Sequence, residues 1–249
     1  MQEKIKELSE ILKSSNNIVF FGGAGVSTAS GIPDFRSSNG LWNQKLNRQF
    51  SPEELVSHSM YLRYPEEFFE FYKDKLIYPE AKPNKAHIAL AKLEEMGKLK
   101  AVVTQNIDGL HQAAGSRVVY ELHGSVLRNY CESCHEFYDV DYVLSADGIP
   151  VCKKCGGRVK PDVVLYEEGL DDEVINGAVA AIANADTLII GGTSLVVYPA
   201  AGLIRYFRGK NLVLINKSAT SADKNADLCI NDDIAMVLDK AVEGMGTIC

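Results

Sequence analysis

The sequence has no surplus of positive charge. Its 249 residues contain 26 lysines and arginines against 33 aspartates and glutamates, which gives a net charge of −7 with histidine neutral. This acidic balance argues against bulk attraction to nucleic acid or to an anionic membrane, and we predict no direct partner of either kind. A basic peptide would suit this charge as a partner.

The sequence also lacks an apolar segment that predicts a membrane span. Residues 187–204 carry no charge, but Gly191, Gly192 and Pro199 divide them into a short strand, a polar loop and a helix start. The first residues alternate charged and apolar groups at helical spacing, without the apolar centre of a signal peptide. We therefore expect a cytoplasmic protein. Internal repeats and low-complexity segments are absent too.

Cysteine is scarce, and four of the six cysteines form one pattern. Two Cys-x2-Cys pairs predict the ligands of a zinc ribbon: Cys131, Cys134, Cys152 and Cys155. Disulfides are the alternative, which the reduced thiols of a cytoplasm disfavour. Four thiolates complete a tetrahedral shell and leave no position for water, so we expect structural zinc. Cys229 lies in an apolar run and is expected to fill the core, and Cys249 to be a loose end.

Glycine is concentrated in one stretch, residues 18–36, with the sequence IVFFGGAGVSTASGIPDFR. Residues 18–21 predict a buried strand, and residues 22–25 remove nearly all side-chain bulk. Residues 26–30 are predicted to open a helix whose free N–H groups bind an anion, most often phosphate. The alternative is a plain tight turn, since Thr28 stands where a dinucleotide fingerprint has its third glycine.

Apolar strands alternate with helical patterns along most of the chain. Helices are predicted at residues 2–15, 84–96, 172–184, 199–207 and 233–242, and strands at 101–104, 117–122, 188–190 and 212–215. This alternation indicates an α/β fold with a parallel sheet covered on both faces. By contrast, residues 37–83 are rich in aromatics and show helical patterns without a clear strand, so they predict a helical insert.

Polar or glycine-rich clusters follow five of the predicted strands. They are residues 22–28, 105–108, 123, 192–194 and 216–218. The carboxyl ends of parallel strands meet at one edge of a sheet, where such folds bind their ligands. The convergence of five clusters there supports a ligand the size of a nucleotide.

His123 is the leading candidate for acid–base chemistry, because an unperturbed imidazole titrates near neutral pH. The other histidines are expected to pack or to face solvent: His58, His87, His111 and His135. Asn106 and Asp108 are candidates to orient a substrate or a water molecule. Capping of the turn after a strand is the alternative for both.

Five strings of the sequence, taken together, resemble the sirtuin family. They are GAGVS at 23–27, GIPDFR at 31–36, TQNID at 104–108, LHG at 122–124 and GTSL at 192–195. The resemblance covers nearly the whole chain, with the cysteine pairs where that family keeps its zinc. It implies an NAD-dependent protein lysine deacylase with a Rossmann-like parallel sheet domain and a smaller inserted domain. Its boundaries on this chain would be 1–36, 84–125 and 166–249 for the Rossmann-like domain, 37–83 for a helical module and 126–165 for the zinc ribbon.

The resemblance also implies roles for individual residues. The NAD contacts would be Ala24 and Thr28 at the diphosphate, Phe35 and Arg36 in a flexible cofactor loop, Gln105, Ile107 and Asp108 at the nicotinamide ribose and carboxamide, and Thr193, Ser194, Asn216, Lys217 and Ile234 at the adenosine half. Val164 and Val197 would flank the acyl-lysine strand. His123 would be the general base that takes a proton from a ribose hydroxyl. NAD would be consumed, leaving nicotinamide, O-acetyl-ADP-ribose and free lysine.

Two features of the chain bear on how that resemblance applies. Glu167 stands where the family often has a glycine, which puts local main-chain contacts to substrate in question. Some members that accept succinyl-lysine carry a Tyr-x-x-Arg pair, and here Tyr72 and Lys75 occupy those positions. Lysine offers a compact charge where arginine grips a carboxylate through two hydrogen bonds. We expect deacetylation to be the main activity, with weak activity on succinyl-lysine that depends on Tyr72 and Lys75. A solvent-facing Lys75 is the alternative.

Other functions fit parts of the sequence. A hydride-transferring dehydrogenase would use the same sheet edge, yet the third glycine and a clear ribose-binding acid are missing. A zinc-ribbon nucleic-acid binder would explain the cysteines but not the acidic balance. Mono-ADP-ribosyl transfer to protein is the nearest rival within the resemblance. The expected partners are proteins or peptides that contain acyl-lysine, and a monomer is favoured.

Overall fold

The computed structural model describes residues 1–37, 40–41, 50–220 and 222–246, and within them nine strands form two sheets. In chain order the strands are β1 (Ile18–Gly22), β2 (Leu99–Thr104), β3 (Val119–Glu121), β4 (Gly124–Cys131), β5 (Phe137–Tyr138), β6 (Val159–Val163), β7 (Thr187–Gly191), β8 (Asn211–Ile215) and β9 (Leu228–Ile230). The strands predicted from the sequence are confirmed. The apolar pattern does not predict β9, because three residues are too few to distinguish a strand from a loop.

The larger sheet has six parallel strands in the order β3-β2-β1-β7-β8-β9. Every residue of the central strands β1 and β7 is buried, which explains their unbroken apolar runs. Phe20 packs into the core on one face of the sheet, whereas Val19 and Phe21 pack into the core on the other face. The predicted parallel sheet with both faces covered is confirmed.

The helices lie around this sheet and in the segment between β1 and β2. In chain order they are α1 (Gln2–Ser14), α2 (Pro52–Leu55), α3 (His58–Arg63), α4 (Pro65–Lys75), α5 (Lys85–Glu95), α6 (Leu110–Ala113), α7 (Val140–Ser145), α8 (Asp172–Asn184) and α9 (Ile234–Glu243). Asn84, Asp171 and Asp233 cap three of them through side-chain oxygens. No helix in the described ranges is long and apolar enough to cross a membrane.

The helix predicted to begin at residues 26–30 is wrong. Two single 3-10 turns, Ala24–Val26 and Thr28–Ser30, occupy this place. Gly31 follows with a φ of +85°, in the left-handed region, and Pro33 cannot donate the hydrogen bond of a continuing helix. A helix N-terminus therefore does not contribute to the glycine-rich turn. The helix predicted at 199–207 is a 3-10 helix over Ala200–Tyr206.

The smaller sheet is antiparallel, in the order β5-β4-β6. The chain passes from the larger sheet into it between β3 and β4. The near half of the smaller sheet packs with α2, α3 and α4 in an aromatic core that includes Tyr61, Phe68, Phe71, Val126 and Val163. The predicted helical insert is thus seen in the described part of residues 37–83, and positions 38–39 and 42–49 lie outside it. Cys249 lies outside it as well. The domain boundaries stay a prediction.

Candidate active site

A cleft of about 1100 Å³ opens beyond the carboxyl ends of the parallel strands. All five clusters that follow the predicted strands contribute to its walls. Other walls include the segment that contains Phe35 and Arg36, β6 with the loop after it, the segment after α4 and the start of α9. The predicted convergence at one edge of the sheet is therefore confirmed by the structure.

The glycines after β1 are required by a neighbouring loop. A Cβ atom at Gly25 would lie 2.8 Å from the main chain of Gly192, and one at Gly23 would lie 2.9 Å from the Thr193 side chain. The Gly25 amide donates to the Gly192 carbonyl at 2.8 Å. Absence of bulk thus lets the β1 and β7 loops pack together. Ala24 and Thr28 of the same turn line the cleft.

Side-chain hydrogen bonds connect the loops at the floor of the cleft. Gln105, after β2, donates to the Thr193 hydroxyl at 3.0 Å, and the Thr193 amide donates to Asn216 Oδ1 at 3.0 Å. Asn216 lines the cleft, and its buried Nδ2 has no partner among the described residues, so both N–H groups of this amide are unsatisfied there. Three separate strand ends are thereby held in one arrangement. That arrangement fits a nucleotide-sized ligand with many polar atoms.

A second network joins Ser27, Asn106 and Asp108. The Ser27 hydroxyl donates to Asp108 Oδ2 at 2.6 Å and accepts from Asn106 Nδ2 at 3.0 Å. Asp108 Oδ1 also accepts from the Leu110 amide at 2.9 Å, so capping accounts for one of its oxygens. Ser27 is not among the residues predicted for the site, although its place within the string GAGVS is a signal that could have identified it. Ile107 lines the cleft beside this network.

His123 follows β3 after one intervening residue and lines the cleft. Its Nδ1 lies 3.0 Å from the Gln105 carbonyl oxygen, and its own carbonyl accepts from the Val164 amide at 3.0 Å. A carbonyl can only accept, so Nδ1 carries the proton and Nε2 is the nitrogen available as a base. Burial lowers the pKa of His123, while the Gln105 carbonyl raises it. The neutral base is therefore the form present at neutral pH.

The remaining residues expected to contact NAD also lie on the cleft. Phe35 and Arg36 line it on the segment after the two 3-10 turns. Ser194, Lys217 and Ile234 line it at the β7 and β8 loops and the start of α9. The Lys217 ammonium lies 2.9 Å from Asp233, which also caps α9. Charge at this end of the cleft is thus partly balanced within the protein.

The two valines expected beside the acyl-lysine strand, Val164 and Val197, both line the cleft. Glu167 follows with a φ of +78°, a backbone conformation that favours glycine. Its carboxylate accepts from the Ser59 amide at 2.8 Å, and Glu168 contacts His58 Nδ1 at 2.8 Å. The Glu167 side chain is therefore bonded to the start of α3, and the backbone keeps the glycine-like conformation.

Of the two residues expected to recognise the acyl group, Tyr72 and Lys75, only Lys75 lines the cleft. Lys75 lines the cleft and pairs with Asp74 at 3.0 Å. Tyr72 is fully buried among aromatic rings, stacked on Phe68, and is not among the lining residues. Its hydroxyl has no partner among the described residues, and burial raises the pKa of this phenol. A role of Tyr72 at the cleft would require a rearrangement of α4.

The four predicted zinc ligands come together at the far end of the smaller sheet. Their sulfur atoms all lie within 4.8 Å of one another, with separations of 3.4, 3.6 and 3.4 Å for three of the pairs. Tetrahedral zinc with Zn–S bonds of about 2.3 Å needs sulfurs about 3.8 Å apart, so the set fits that ion. The Tyr138 hydroxyl donates to Cys152 at 3.2 Å and thereby lowers the pKa of that thiol to about 6. None of the four cysteines lines the cleft.

The other four histidines pack against the protein or face solvent, as predicted. His87 and His111 are buried, with ring centroids 4.7 Å apart, and burial lowers the pKa values to about 4 and about 3. His58 is half-buried and bonded to Glu168, and His135 is exposed beside the cysteine cluster. Cys229, expected in the core, lies half-buried at the edge strand β9.

Three features occur together: a large cleft at the carboxyl edge of a parallel α/β sheet, a half-buried histidine in that cleft, and a four-cysteine cluster in the second sheet. Together they define a class of nucleotide-using enzymes with a structural metal module. Comparison with known proteins narrows this class. The sequence model that describes the Sir2 family matches residues 23–199 of this chain. The chain belongs to the Sir2, or sirtuin, family.

Similar proteins cover almost the entire chain. It is 74% identical over 244 residues to an NAD-dependent protein deacetylase of Clostridium perfringens. The aligned region covers 98% of this chain and 100% of the relative. A structure of Sir2 with a deacetylated p53 peptide and 3'-O-acetyl-ADP-ribose is 39% identical, with a TM-score of 0.87 and coverage of 96% and 97%. A structure of Sir2 with p53 peptide and NAD+ is 39% identical, with a TM-score of 0.84 and coverage of 97% and 98%.

Proposed function

We propose that this protein is an NAD-dependent protein deacetylase that removes acetyl groups from lysine side chains and releases nicotinamide, O-acetyl-ADP-ribose and free lysine. The observation that carries the proposal is His123, held in the cleft with Nδ1 bonded to the Gln105 carbonyl and Nε2 available as a base. The similar deacetylase of C. perfringens and the Sir2 complexes with peptide, NAD+ and acetyl-ADP-ribose support it.

The cleft is suited to hold NAD along its length. The Asn216 amide, whose Nδ2 has no partner among the described residues, would bind the adenosine half together with the loop of Thr193 and Ser194. Ala24 and Thr28 would contact the diphosphate. Phe35 and Arg36, on the segment after the two 3-10 turns, would contact NAD as part of the cofactor loop. Gln105, Ile107 and the Ser27–Asn106–Asp108 network would hold the nicotinamide ribose. Lys217 and Ile234 complete the adenosine side.

NAD would be consumed as a substrate: the acetyl oxygen would displace nicotinamide from its ribose, a ribose hydroxyl would take over the acetyl group, and water would complete the release of free lysine. His123 Nε2 takes a proton from a ribose hydroxyl, and the Nδ1–H bond to Gln105 keeps the ring in the tautomer that permits this. Burial keeps the ring neutral at neutral pH by lowering its pKa. Val164 and Val197, which both line the cleft, would flank the acetyl-lysine side chain and direct it toward the ribose. Zinc, which the four cysteines would hold, would take no part in these steps and would stabilise the ribbon.

The proposal is tested by incubating the protein with NAD and an acetyl-lysine peptide and weighing the products by mass spectrometry. Nicotinamide together with O-acetyl-ADP-ribose and a peptide lighter by one acetyl group supports deacetylation. A peptide heavier by ADP-ribose would instead identify a mono-ADP-ribosyltransferase. NADH, or an unchanged mixture, would contradict both.

His123→Ala is expected to reduce deacetylation by about 10² to 10⁴-fold, the usual contribution of a positioned general base. NAD affinity should stay within a few-fold, because most of the expected contacts are made by other loops. Binding is measured by calorimetry and turnover by the product assay. His58→Ala is the matched control, since His58 does not line the cleft. Near wild-type turnover of His123→Ala would rule out His123 as the base.

The compartment and the assembly are part of the proposal. None of the described cysteines forms a disulfide, which suits the reducing cytoplasm. Proteins with acetylated lysines are the proposed partners, and we propose no direct nucleic-acid or membrane partner. A monomer is proposed, and light scattering coupled to size-exclusion chromatography tests it.

A further inference from the structure

Arg128 connects the two sheets at the point where the chain passes between them. Its Nη1 donates to Glu121 Oε2 at 2.7 Å, and its Nε donates to Asp162 Oδ2 at 2.7 Å. Glu121 is the last residue of β3 in the larger sheet, and Asp162 lies on β6 in the smaller one. One guanidinium thus joins two carboxylates that belong to different sheets, through short charge-assisted bonds. We call these three residues the junction clip.

An irregularity in β4 brings Arg128 into this position. The pairing of β4 with β6 passes from Ser125 opposite Asp162 to Asn129 opposite Pro161, so residues 126–128 have no partner on β6. A bulge of this kind bends a strand and redirects its side chains. Here Arg128 turns back toward the start of its own strand and reaches Glu121.

His123 lies inside the loop that the clip closes. It is two residues after Glu121 and next to Gly124, where a Cβ atom would lie 1.9 Å from the Asp162 carbonyl oxygen. β3 is an edge strand of three residues with β2 as its one neighbour, so few backbone bonds hold the start of this loop. None of the clip residues lines the cleft, but His123, Leu127 and Val163 beside them do, so the clip would act on the chemistry through its neighbours.

We propose that Arg128 is a positioning residue for His123, which keeps the imidazole seated on the Gln105 carbonyl by fixing the β3 end against β6. This inference rests on the proposed function for its effect on turnover, but not for its effect on the imidazole. Without the clip, the loop between the sheets can move, the bond from Nδ1 to Gln105 loosens and water reaches the ring. Loss of burial would raise the pKa of His123 toward its ordinary value.

Other charged groups lie on the segments bonded to His123, and the test must separate them from Arg128. On its own segment they are Glu121 and Arg128; on the Gln105 segment Asp108; on the Val164 segment Lys160, Asp162, Glu167 and Glu168. Removal of one positive charge alone also favours the protonated imidazole. Glu121→Gln opens the same clip but removes a negative charge, so the two variants distinguish loosening from a simple field effect.

The experiment is an NMR titration of isotopically labelled histidine in the full-length, zinc-loaded protein, with the His123 signal assigned from His123→Ala. We expect the pKa of His123 to rise in both Arg128→Met and Glu121→Gln. Arg128→Lys should give an intermediate value, because one ammonium cannot reach both carboxylates with two aligned bonds. Arg158→Met is the matched control: Arg158 donates to the Tyr61 carbonyl at 3.0 Å and joins the ribbon to α3 instead. Its His123 titration should equal that of the wild type.

Turnover gives the second readout. Arg128→Met should lower kcat about 10-fold or more with KM within about twofold, since misplacement of a catalytic group acts mainly on the chemical step. An unchanged His123 titration in Arg128→Met and Glu121→Gln would overturn the positioning role, as would opposite shifts in the two variants. If the wild type has no deacetylase activity but the titration moves as expected, the proposed function fails and the clip stands.

Discussion

The two sheets of this protein are held together in different ways. The six-stranded sheet lies between two apolar cores, and the central strands β1 and β7 are buried along their whole length. The far half of the three-stranded sheet has a buried cluster of three residues, Cys131, Cys152 and Val159, within the described residues. Two of those three are predicted metal ligands. The larger sheet therefore depends on apolar burial, and the ribbon on its metal.

The two sheets also contribute different parts of the cleft. The polar groups of the cleft sit on strand ends that a large core holds in place, which is the rigid support that a catalytic site needs. The ribbon places no cysteine in the cleft. It contributes the segment from Val163 to Glu168, which lies against the cleft and is bonded to α3 through Glu167. The catalytic cleft thus depends on the apolar cores of the larger sheet. The segment from Val163 to Glu168 depends on the smaller sheet, which we expect to unfold when the metal is removed.

The largest effect is expected from loss of the metal. Cys131→Ala should abolish stoichiometric zinc binding and expose the amides of residues 131–159 to hydrogen exchange, because few apolar contacts remain there. Activity should fall, and the melting temperature should drop by about 5 °C or more. The amides of β1 and β7 should keep their protection. Zinc content is read by mass spectrometry of the intact protein.

Cys229→Ala is the control for this experiment, since Cys229 is also a free, part-buried cysteine but lies on β9. It should retain zinc and ribbon protection. A zinc-free Cys131→Ala protein with full protection of residues 131–159 would show that the ribbon does not depend on metal.

Acid should weaken the larger sheet through His87 and His111. Burial lowers their folded pKa values to about 4 and about 3, so the unfolded chain binds more protons once the pH falls below about 6.5. Their stabilising contribution is complete above that pH. It is lost by about 1.4 kcal/mol per pH unit for each histidine as the pH falls toward the folded values.

Urea unfolding from pH 7 to pH 5 measures this slope. His111→Gln should reduce the slope because one of the two groups no longer titrates. Leu90→Ala, in the same core, should lower the free energy of unfolding by about 2 to 5 kcal/mol at every pH and leave the slope unchanged. An equal slope in His111→Gln and the wild type would show that His111 does not account for the acid sensitivity.

The smallest effect is expected at Lys75, on the helical side of the cleft. Lys75→Ala should lower kcat/KM for a succinyl-lysine peptide by about twofold to fivefold, because a part-exposed charge pair contributes at most about 1 kcal/mol. The value for the acetyl version of the same peptide should change less. Lys73→Ala is the matched control, since Lys73 donates to the carbonyls of Ala146 and Gly148 instead. An unchanged acetyl-to-succinyl ratio in Lys75→Ala would mean that Lys75 does not read the acyl group.

The sequence predicted the parts of the site that are contiguous in the chain. Two Cys-x2-Cys pairs identify a four-sulfur cluster, because each pair is a local turn and the two pairs can close one shell. The apolar runs identify the parallel strands, and their polar ends converge because strands of one direction end at one edge. The same patterns misjudged the turn after β1, since glycines, serines and threonines there allow either a helix or tight turns. The choice depends on contacts with Gly192 and Thr193, about 170 residues away in the chain.

The sequence by itself therefore determined the fold class, the metal ligands and the clusters that form the cleft, because each of these follows from the spacing of residues along a short stretch. Contacts between distant residues decided the rest. They include the bond of Ser27 to Asp108, the burial of Tyr72 behind the cleft and the bonds of Arg128 to both sheets. Hydrogen-bond partners and burial depend on where separate segments meet in space, and spacing along the chain does not encode that.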